Sequence, residues 1–243
     1  MNYKIAIPSY KRVDILRTHT LALLERQNID KSKVFVFVVP EEALLYKEAF
    51  PEVTVVVGVE GLKEQRNFIS EYFSEGEYIV SIDDDIKDVI IKKDSQLLSL
   101  DNLEEVLIKG FTDCKDSGAS LFGFYPVVNK LWLTESVSES FKFIIGSCFG
   151  YINRRILITV SQKQDYQLSV LNYIKDKKVI RYNYISLKSN YYKTKGGLQE
   201  AGNRLQIQEE SVAYLLKEYP EYFALKKSFK SGYPELRVKK VKN

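Results

Sequence analysis

The chain has 243 residues, 45% of them hydrophobic and 28% charged, with a net charge of +4. That is the make-up of a folded chain long enough to bury a sizeable core. A single histidine, His19, excludes histidine metal clusters, and its place within a predicted helix reads as an ordinary helical residue and not a triad base, so acid–base chemistry is expected of carboxylates. Cys114 and Cys148 are too few for a disulfide framework or a zinc site, so free thiols are expected. No apolar run approaches the roughly 20 residues that span a bilayer, and the start MNYKIAIPSYKR lacks a signal peptide's apolar core; the expectation is a cytoplasmic protein.

In chain order, Tyr3 to Ile7 reads as a short strand stopped by Pro8, and the SYKR loop leads into a helix from Val13 to about Gln27. KVFVFVV at 33–39 is a buried strand, 40–50 a short helix, and 53–58 a third strand. Gly58 and Gly61 open a helix from Leu62 to about Phe73, and the chain then turns into YIVSIDDDIKD at 78–88. The order βαβαβαβ predicts a parallel sheet with helices on both faces, whose ligands bind at the carboxyl ends of the strands. The loops SYKR, GVEGLKEQRN and DDD all lie at those ends.

The DDD stretch is the chemical focus of the sequence. An apolar strand running into three carboxylates leaves them hard to keep ionised without a cation. In extended backbone Asp83 and Asp85 point the same way and Asp84 points elsewhere. Two converging oxygen ligands suit Mg²⁺ or Mn²⁺, which reserve coordination sites for water and substrate phosphates. A solvated acidic turn needs neither the IVSI strand nor three aspartates in a row. Around it, Pro8, Ser9, Tyr10 and Arg12 offer an aromatic ring and a cation for a base and a phosphate, or merely start a helix. Lys63, Arg66 and Asn67 occupy the first turns of the next helix, where backbone amides favour anions, or are simply surface charge. No GxGxxG or GxxxxGK[ST] spacing is present.

Later, a helix capped by Asp101 is predicted over 101–115, a strand over 119–128, a kinked strand over FIIGSCFGYIN at 143–153, a helix over 164–177 and a strand over 179–187. A KTKGG loop at 193–197 and a helix over 204–217 follow. Lys195, Gly196, Gly197 and Arg204 form a second candidate phosphate-binding group, since two glycines let backbone amides approach an anion beside cations. The stretch 226–243 holds Lys226, Lys227, Lys230, Arg237, Lys239, Lys240 and Lys242 against Glu235 alone, and reads either as a polyanion-docking tail or as a solvating one.

IAIPSYKR, GLKEQRN and the DDD together resemble the GT-A nucleotide-sugar glycosyltransferases. The resemblance implies a Rossmann-like α/β/α fold of three layers, with a mostly parallel central sheet and a mixed acceptor half. It implies Asp85 as the main metal ligand, Asp83 as a metal or ribose contact, Asp84, Arg66 and Asn67 among the donor contacts, and Mn²⁺ or Mg²⁺ as the cofactor. GSCFGY followed by QDYQLS resembles the family's acceptor loop and base motif. Gly146 and Ser147 would then face the acceptor, and Asp165 would take the proton from the acceptor hydroxyl. A helix-start aspartate favoured by the dipole is the alternative. Gln164 stands where many members have Glu, and the late histidine that often completes the metal site is missing.

IPSYKR, GLKEQRNF, IDDDI, QDYQLS and KGGLQEAGNR are also similar to the TET-associated glycosyltransferases of phages and viruses, which put sugars on hydroxymethylated pyrimidines in DNA. This implies a UDP-sugar donor of glucose or arabinose type, a 5-hydroxymethylcytosine acceptor and an inverting reaction. Tyr182 and Tyr184, set among Arg181 and Lys188, fit a DNA acceptor, and their alternation fits strand core equally. The expected layout is one domain, with 1–90 for the nucleotide, 91–225 for the acceptor and 226–243 as a basic tail. The rival readings are transfer to a glycan, a sugar nucleotidyltransferase, which usually has a glycine-rich first loop, and a non-catalytic DNA-binding module.

Overall fold

The computed structural model describes residues 1–189, 204–227 and 232–241. The strands β1 (Lys4–Pro8), β2 (Val34–Val38), β3 (Thr54–Val57) and β4 (Tyr78–Ile82) lie parallel in the order β3-β2-β1-β4. This is the alternating first half that the apolar runs predict. β1 and β4 are neighbours, so the SYKR loop and the DDD turn leave the sheet side by side. Side chains alternate across β1: Ile5 and Ile7 face the core of α1 (Val13–Leu16), α2 (Ala22–Arg26) and α3 (Ala43–Ala49). Ala6 faces the other side, under Ile69 and Phe73 of α4 (Leu62–Tyr72) and the residue after it.

Between α1 and α2 the helix widens into a π turn, Arg17–Leu21, within the span predicted as one continuous helix. After the DDD turn comes a hairpin absent from the sequence reading, β5 (Ile86–Lys93) and β6 (Gln96–Ser99). Helix α5 (Leu103–Ser117) follows, capped by Asn102, whose side chain accepts from Glu105 N–H at 3.0 Å, and not by Asp101.

β7 (Leu121–Tyr125), β8 (Val137–Ser138), β9 (Cys148–Ile152) and β10 (Ile180–Ser189) complete a ten-stranded sheet, with β4-β9-β7-β10-β5-β6 continuing the first half. Among these, β9, β5 and β8 run against the others, so the sheet is mostly parallel and its second half mixed. Helices α6 (Gln164–Asp176) and α7 (Arg204–Glu218) cover the face opposite α5 through a second core that includes Leu121, Phe149, Val170 and Leu215.

The basic tail is not a free segment where it is described. β11 (Phe223–Leu225) pairs with β12 (Leu236–Val238), and Leu236 is buried against that second core, because the isolated apolar residues among the lysines find partners there. Lys226 pairs with Glu235 at 2.6 Å, and Lys239 Nζ–H donates to the Pro220 carbonyl at 2.6 Å.

Phe122, a fully buried ring, lies over Gly110 of α5 and Gly150 of β9 and so packs that helix against the sheet. A Cβ at Gly150 would overlap that ring, which has no room to move. Gly150→Ala is expected to cost about 1–3 kcal/mol of stability by overpacking, seen as a lower denaturant midpoint with unchanged slope.

Candidate active site

The site is built where β4 ends. Asp83 N–H donates to the Ser147 carbonyl at 2.9 Å, and its own carbonyl accepts from Thr20 Oγ–H at 2.7 Å. Thr20 Oγ also accepts from Ile86 N–H at 3.0 Å, so one buried hydroxyl clamps both flanks of the aspartate turn. The π turn of the first helix carries this residue. Sequence reasoning missed Thr20, since nothing in RTHTL announces a π turn.

The three carboxylates part company. Asp84 turns inward and is buried: Ser9 Oγ–H donates to its Oδ2 at 2.7 Å and Arg12 Nη1–H to its Oδ1 at 3.1 Å. Ser9 is held in turn by the Tyr46 hydroxyl at 2.9 Å, which also accepts from Arg12 N–H at 3.1 Å. Lys11, between them, has left-handed backbone (φ 55°), and both Glu42 oxygens accept from its N–H at 3.0 Å. Asp84 therefore locks the first loop to the third in place of reaching solvent. Tyr46 and Glu42, the parts of that lock contributed by the second α/β unit, carry no motif that would single them out.

Asp83 and Asp85 keep more exposure, 34% and 16% of their side chains. Arg66 Nη2–H donates to Asp83 Oδ1 at 3.3 Å, and Arg12 stands 3.9 Å from Asp85. Burial dominates all three groups. It raises Asp84 and Asp85 above the usual carboxylate range despite Arg12, and pushes Asp83 up to about 7 despite Arg66, with Asp85 and Asp84 adding repulsion. Carboxylates that resist ionising in this way take a cation readily. Among the described residues no three acidic, histidine or cysteine side chains stand close enough to ligate one ion together. Asp83 and Asp85, the two more exposed carboxylates of the turn, are the ones that could hold a hard divalent ion whose remaining oxygens come from phosphates and water.

Arg66 links this turn to the second half of the chain. Its Nη2–H also donates to the Gly146 carbonyl at 3.0 Å, and its guanidinium lies 5.7 Å above the Phe149 ring. Only 8% of the side chain is exposed, and Nε and Nη1 are buried with no hydrogen-bond partner among the described residues. Asp165, in the first turn of α6, meets the same side of Gly146: a Cβ at Gly146 would stand 3.3 Å from Asp165 Cβ and 3.4 Å from both Arg66 Nη atoms. Asp165 accepts from Tyr166 N–H at 3.0 Å. Burial raises its carboxyl above the ordinary value, opposed first by Arg66 and then by Lys163. Without a side chain at 146, Arg66 and Asp165 both come up against this backbone, and the Arg66 charge is felt by Asp165 as well as by Asp83.

The remaining predicted residues divide. Pro8 closes β1 opposite Phe37, and half-buried Tyr10 carries the Lys11 ammonium 4.9 Å over its ring. Ser147 is buried behind Asp83, and its hydroxyl has no partner among the described residues. Lys63 is paired with its neighbour Glu64 at 2.9 Å. Asn67 is not turned to a donor: its amide donates to the Ile158 carbonyl at 2.9 Å and accepts from Ile158 N–H at 2.8 Å, pinning the loop between β9 and α6.

Tyr182 and Tyr184 are not an acceptor surface. Tyr182 is fully buried under α5, where its hydroxyl donates to Asp113 Oδ2 at 2.6 Å, and Tyr184 packs edge-on against it. The reason is the strand alternation itself, which sends both rings to the α5 side. Arg204 opens α7 with its guanidinium 5.2 Å over Tyr233, while Lys195, Gly196 and Gly197 lie outside the described residues. No helix among the described residues is long and apolar enough to cross a membrane.

In comparisons with known proteins, no curated protein matches the sequence. Among solved structures, 4-diphosphocytidyl-2C-methyl-D-erythritol synthase from Anaerococcus prevotii aligns at a TM-score of 0.44 and 12% identity, over 88% of this chain and 96% of that one. The family model described as TET-Associated Glycosyltransferase matches residues 3–188, from β1 through nearly all of β10 and across every element that holds Asp83, Arg66, Gly146 and Asp165. The chain belongs to the TET-associated glycosyltransferase family.

Proposed function

We propose that this chain is a divalent-metal-dependent, inverting glycosyltransferase that moves a hexose or pentose from a UDP-sugar to the hydroxymethyl group of 5-hydroxymethylcytosine in DNA. The observation that carries the reading is the Asp83–Arg66–Gly146–Asp165 cluster. It brings a candidate metal carboxylate and a candidate base to one buried guanidinium. The family membership, whose description ties the glycosyltransferase to TET, and the basic character of the chain (+4) support DNA as the acceptor.

The donor would lie across the carboxyl ends of β1 and β4, with its base near Tyr10. Asp83 and Asp85 would hold Mn²⁺ or Mg²⁺, which when bound neutralises charge on the departing diphosphate. Arg66 has two buried donors free to turn toward phosphate oxygens, and Arg12 holds Asp84 and the first loop in shape. Asp165 accepts the proton of the acceptor hydroxyl as that oxygen bonds to the anomeric carbon. The bond from the anomeric carbon to the β-phosphate oxygen breaks on the opposite face, and UDP leaves with that electron pair. Burial raises the Asp165 carboxyl and so makes it a better proton acceptor than a solvated aspartate, while Arg66 and then Lys163 oppose that rise.

A direct check measures UDP release from a panel of UDP-sugars with duplex oligonucleotides that differ only in cytosine or 5-hydroxymethylcytosine. Release stimulated by the hydroxymethylated duplex and by Mn²⁺ or Mg²⁺ is the expected result. Release at the same rate with either duplex, or stimulated only by a glycan, would refute the acceptor.

A further inference from the structure

Three cations gather on the face of β10 opposite the tyrosine core. Tyr182 points to α5, so its neighbour Arg181 points to the α6 side. There its Nη1–H donates to the Phe143 carbonyl at 3.3 Å, its Nε–H to Asn183 Oδ1 at 2.8 Å, and its guanidinium lies 5.0 Å over the Tyr125 ring. Lys142 adjoins Phe143. Lys240 follows Lys239, whose N–H donates to the Tyr222 carbonyl at 2.8 Å, and the Tyr222 ring packs 5.2 Å from Phe141. The folded-back hairpin therefore brings Lys240 to Lys142. The lysine feels this company: burial lowers its pKa, and the charges of Arg181 and Lys240 lower it further. Among the described residues no carboxylate pairs with any of the three. Like charges brought together without an acid cost stability unless an anion joins them.

The placement says which anion. The segment from Phe143 to Gly146 has Arg181 on its first carbonyl and Arg66 on its last. Three residues span at most about 10 Å, so the cation group and the Asp165 side of the site share one short stretch of chain. Phe143 stacks on Tyr166 at 4.3 Å between them, giving an aromatic surface beside the charges. Phosphate flanked by aromatic rings, a short step from the acceptor-activating carboxylate, matches a polynucleotide that presents one base to the site. The donor's diphosphate is served at the other end, by Arg66 and the aspartate turn.

We propose that Lys142, Arg181 and Lys240 seat the phosphodiester backbone of the acceptor DNA, holding the strand whose base enters toward Asp165. This rests on the DNA-acceptor reading above. The test is fluorescence anisotropy of a labelled, unmodified duplex across a NaCl series, comparing wild type, a Lys142→Ala/Lys240→Ala double variant, a Lys142→Arg/Lys240→Arg double variant, and Lys47→Ala on α3 as a distant control. Each lost phosphate contact lowers the log–log salt slope by about 0.9. The alanine pair should therefore lose about one to two units of slope and at least tenfold in affinity at low salt, equally across sequences. The arginine pair and the control should bind as wild type. Wild-type slope and affinity in the alanine pair would overturn the site while leaving DNA as the acceptor. Absence of salt-dependent DNA binding by wild type would overturn both. A loss confined to UDP binding would assign the cations to the donor and overturn the proposal equally.

Discussion

Asp165→Asn should lower turnover by about 10² to 10⁴, the range that a positioned general base supplies, while UDP and DNA binding persist. The amide keeps the shape next to Gly146 and the hydrogen bond from Tyr166 N–H, and loses the ability to take a proton. Wild type should show a matching pH dependence. A base works only when ionised, and burial raises this carboxyl, so activity should fall as pH drops through a value above the roughly 4 of a free aspartate. Asn at 165 should abolish that limb in the residual rate. Two other carboxylates of the second half are rivals. Glu209 is exposed on α7, away from any clustering with Arg66, and Glu200 lies outside the described residues. Near wild-type turnover in Asp165→Asn together with a dead Glu209→Gln or Glu200→Gln would reduce Asp165 to a helix-start residue.

Removal of the ion, or of Asp85, should weaken UDP binding by an order of magnitude or more while the fold persists. The expectation follows from the energetics of the turn. Asp85 is raised by burial and, among the described residues, has no side-chain hydrogen bonds like those of Asp84, so its charge is a cost that a bound cation would offset. Asp85→Ala should leave the thermal midpoint unchanged or higher and erase the gain in UDP affinity on adding Mn²⁺. Asp84→Ala should behave differently: it strips Ser9 and Arg12 of their shared acceptor and should lower stability by about 3–5 kcal/mol, as breaking a buried pair does. Titration calorimetry of both variants with UDP, with and without Mn²⁺, separates the two roles. Intact metal-dependent affinity in Asp85→Ala would remove it from the metal site.

Much of this was legible in the sequence where a local pattern and the tertiary fold agree. The four apolar runs of the first half are strands within a residue or two of their predicted ends, because each is an apolar run bounded by a turn, even β3, whose edge position leaves Thr54 and Val57 exposed. The hairpin β5–β6 was missed for the opposite reason. Its turn is Asp94–Ser95, both left-handed at φ 49° and 61°, without the Gly or Asn that ordinarily marks such a turn. The stretch from Phe143 was read as one kinked strand, yet only Cys148–Ile152 pairs. The Gly146 and Ser147 carbonyls are taken by Arg66 and Asp83, contacts that no local pattern encodes.

Side-chain roles were harder to read than elements. Composition marks Tyr182 as a base-stacking candidate, and only the parity of the strand, fixed by pairing with β7 and β5, assigns it to the core and its neighbour Arg181 to the opposite face. Asn67 stands in the same GLKEQRN motif as Arg66, one residue further round the helix, and that rotation directs it to the loop at Ile158. Thr20 and Tyr46 act through single hydroxyls on distant backbone and side chains, and their identity alone carries no sign of it.

The proposed reaction is transfer of a sugar to hydroxymethylated DNA. It is tested most directly by incubating 5-hydroxymethylcytosine-containing duplex with the protein, Mn²⁺ and a panel of UDP-sugars, digesting to nucleosides and recording their masses. The expected product is a new nucleoside heavier than 5-hydroxymethyldeoxycytidine by one hexosyl or pentosyl group, lost in Asp165→Asn. Unmodified 5-hydroxymethyldeoxycytidine with every donor, in a preparation that binds UDP and Mn²⁺ and transfers sugar to a glycan, would contradict it.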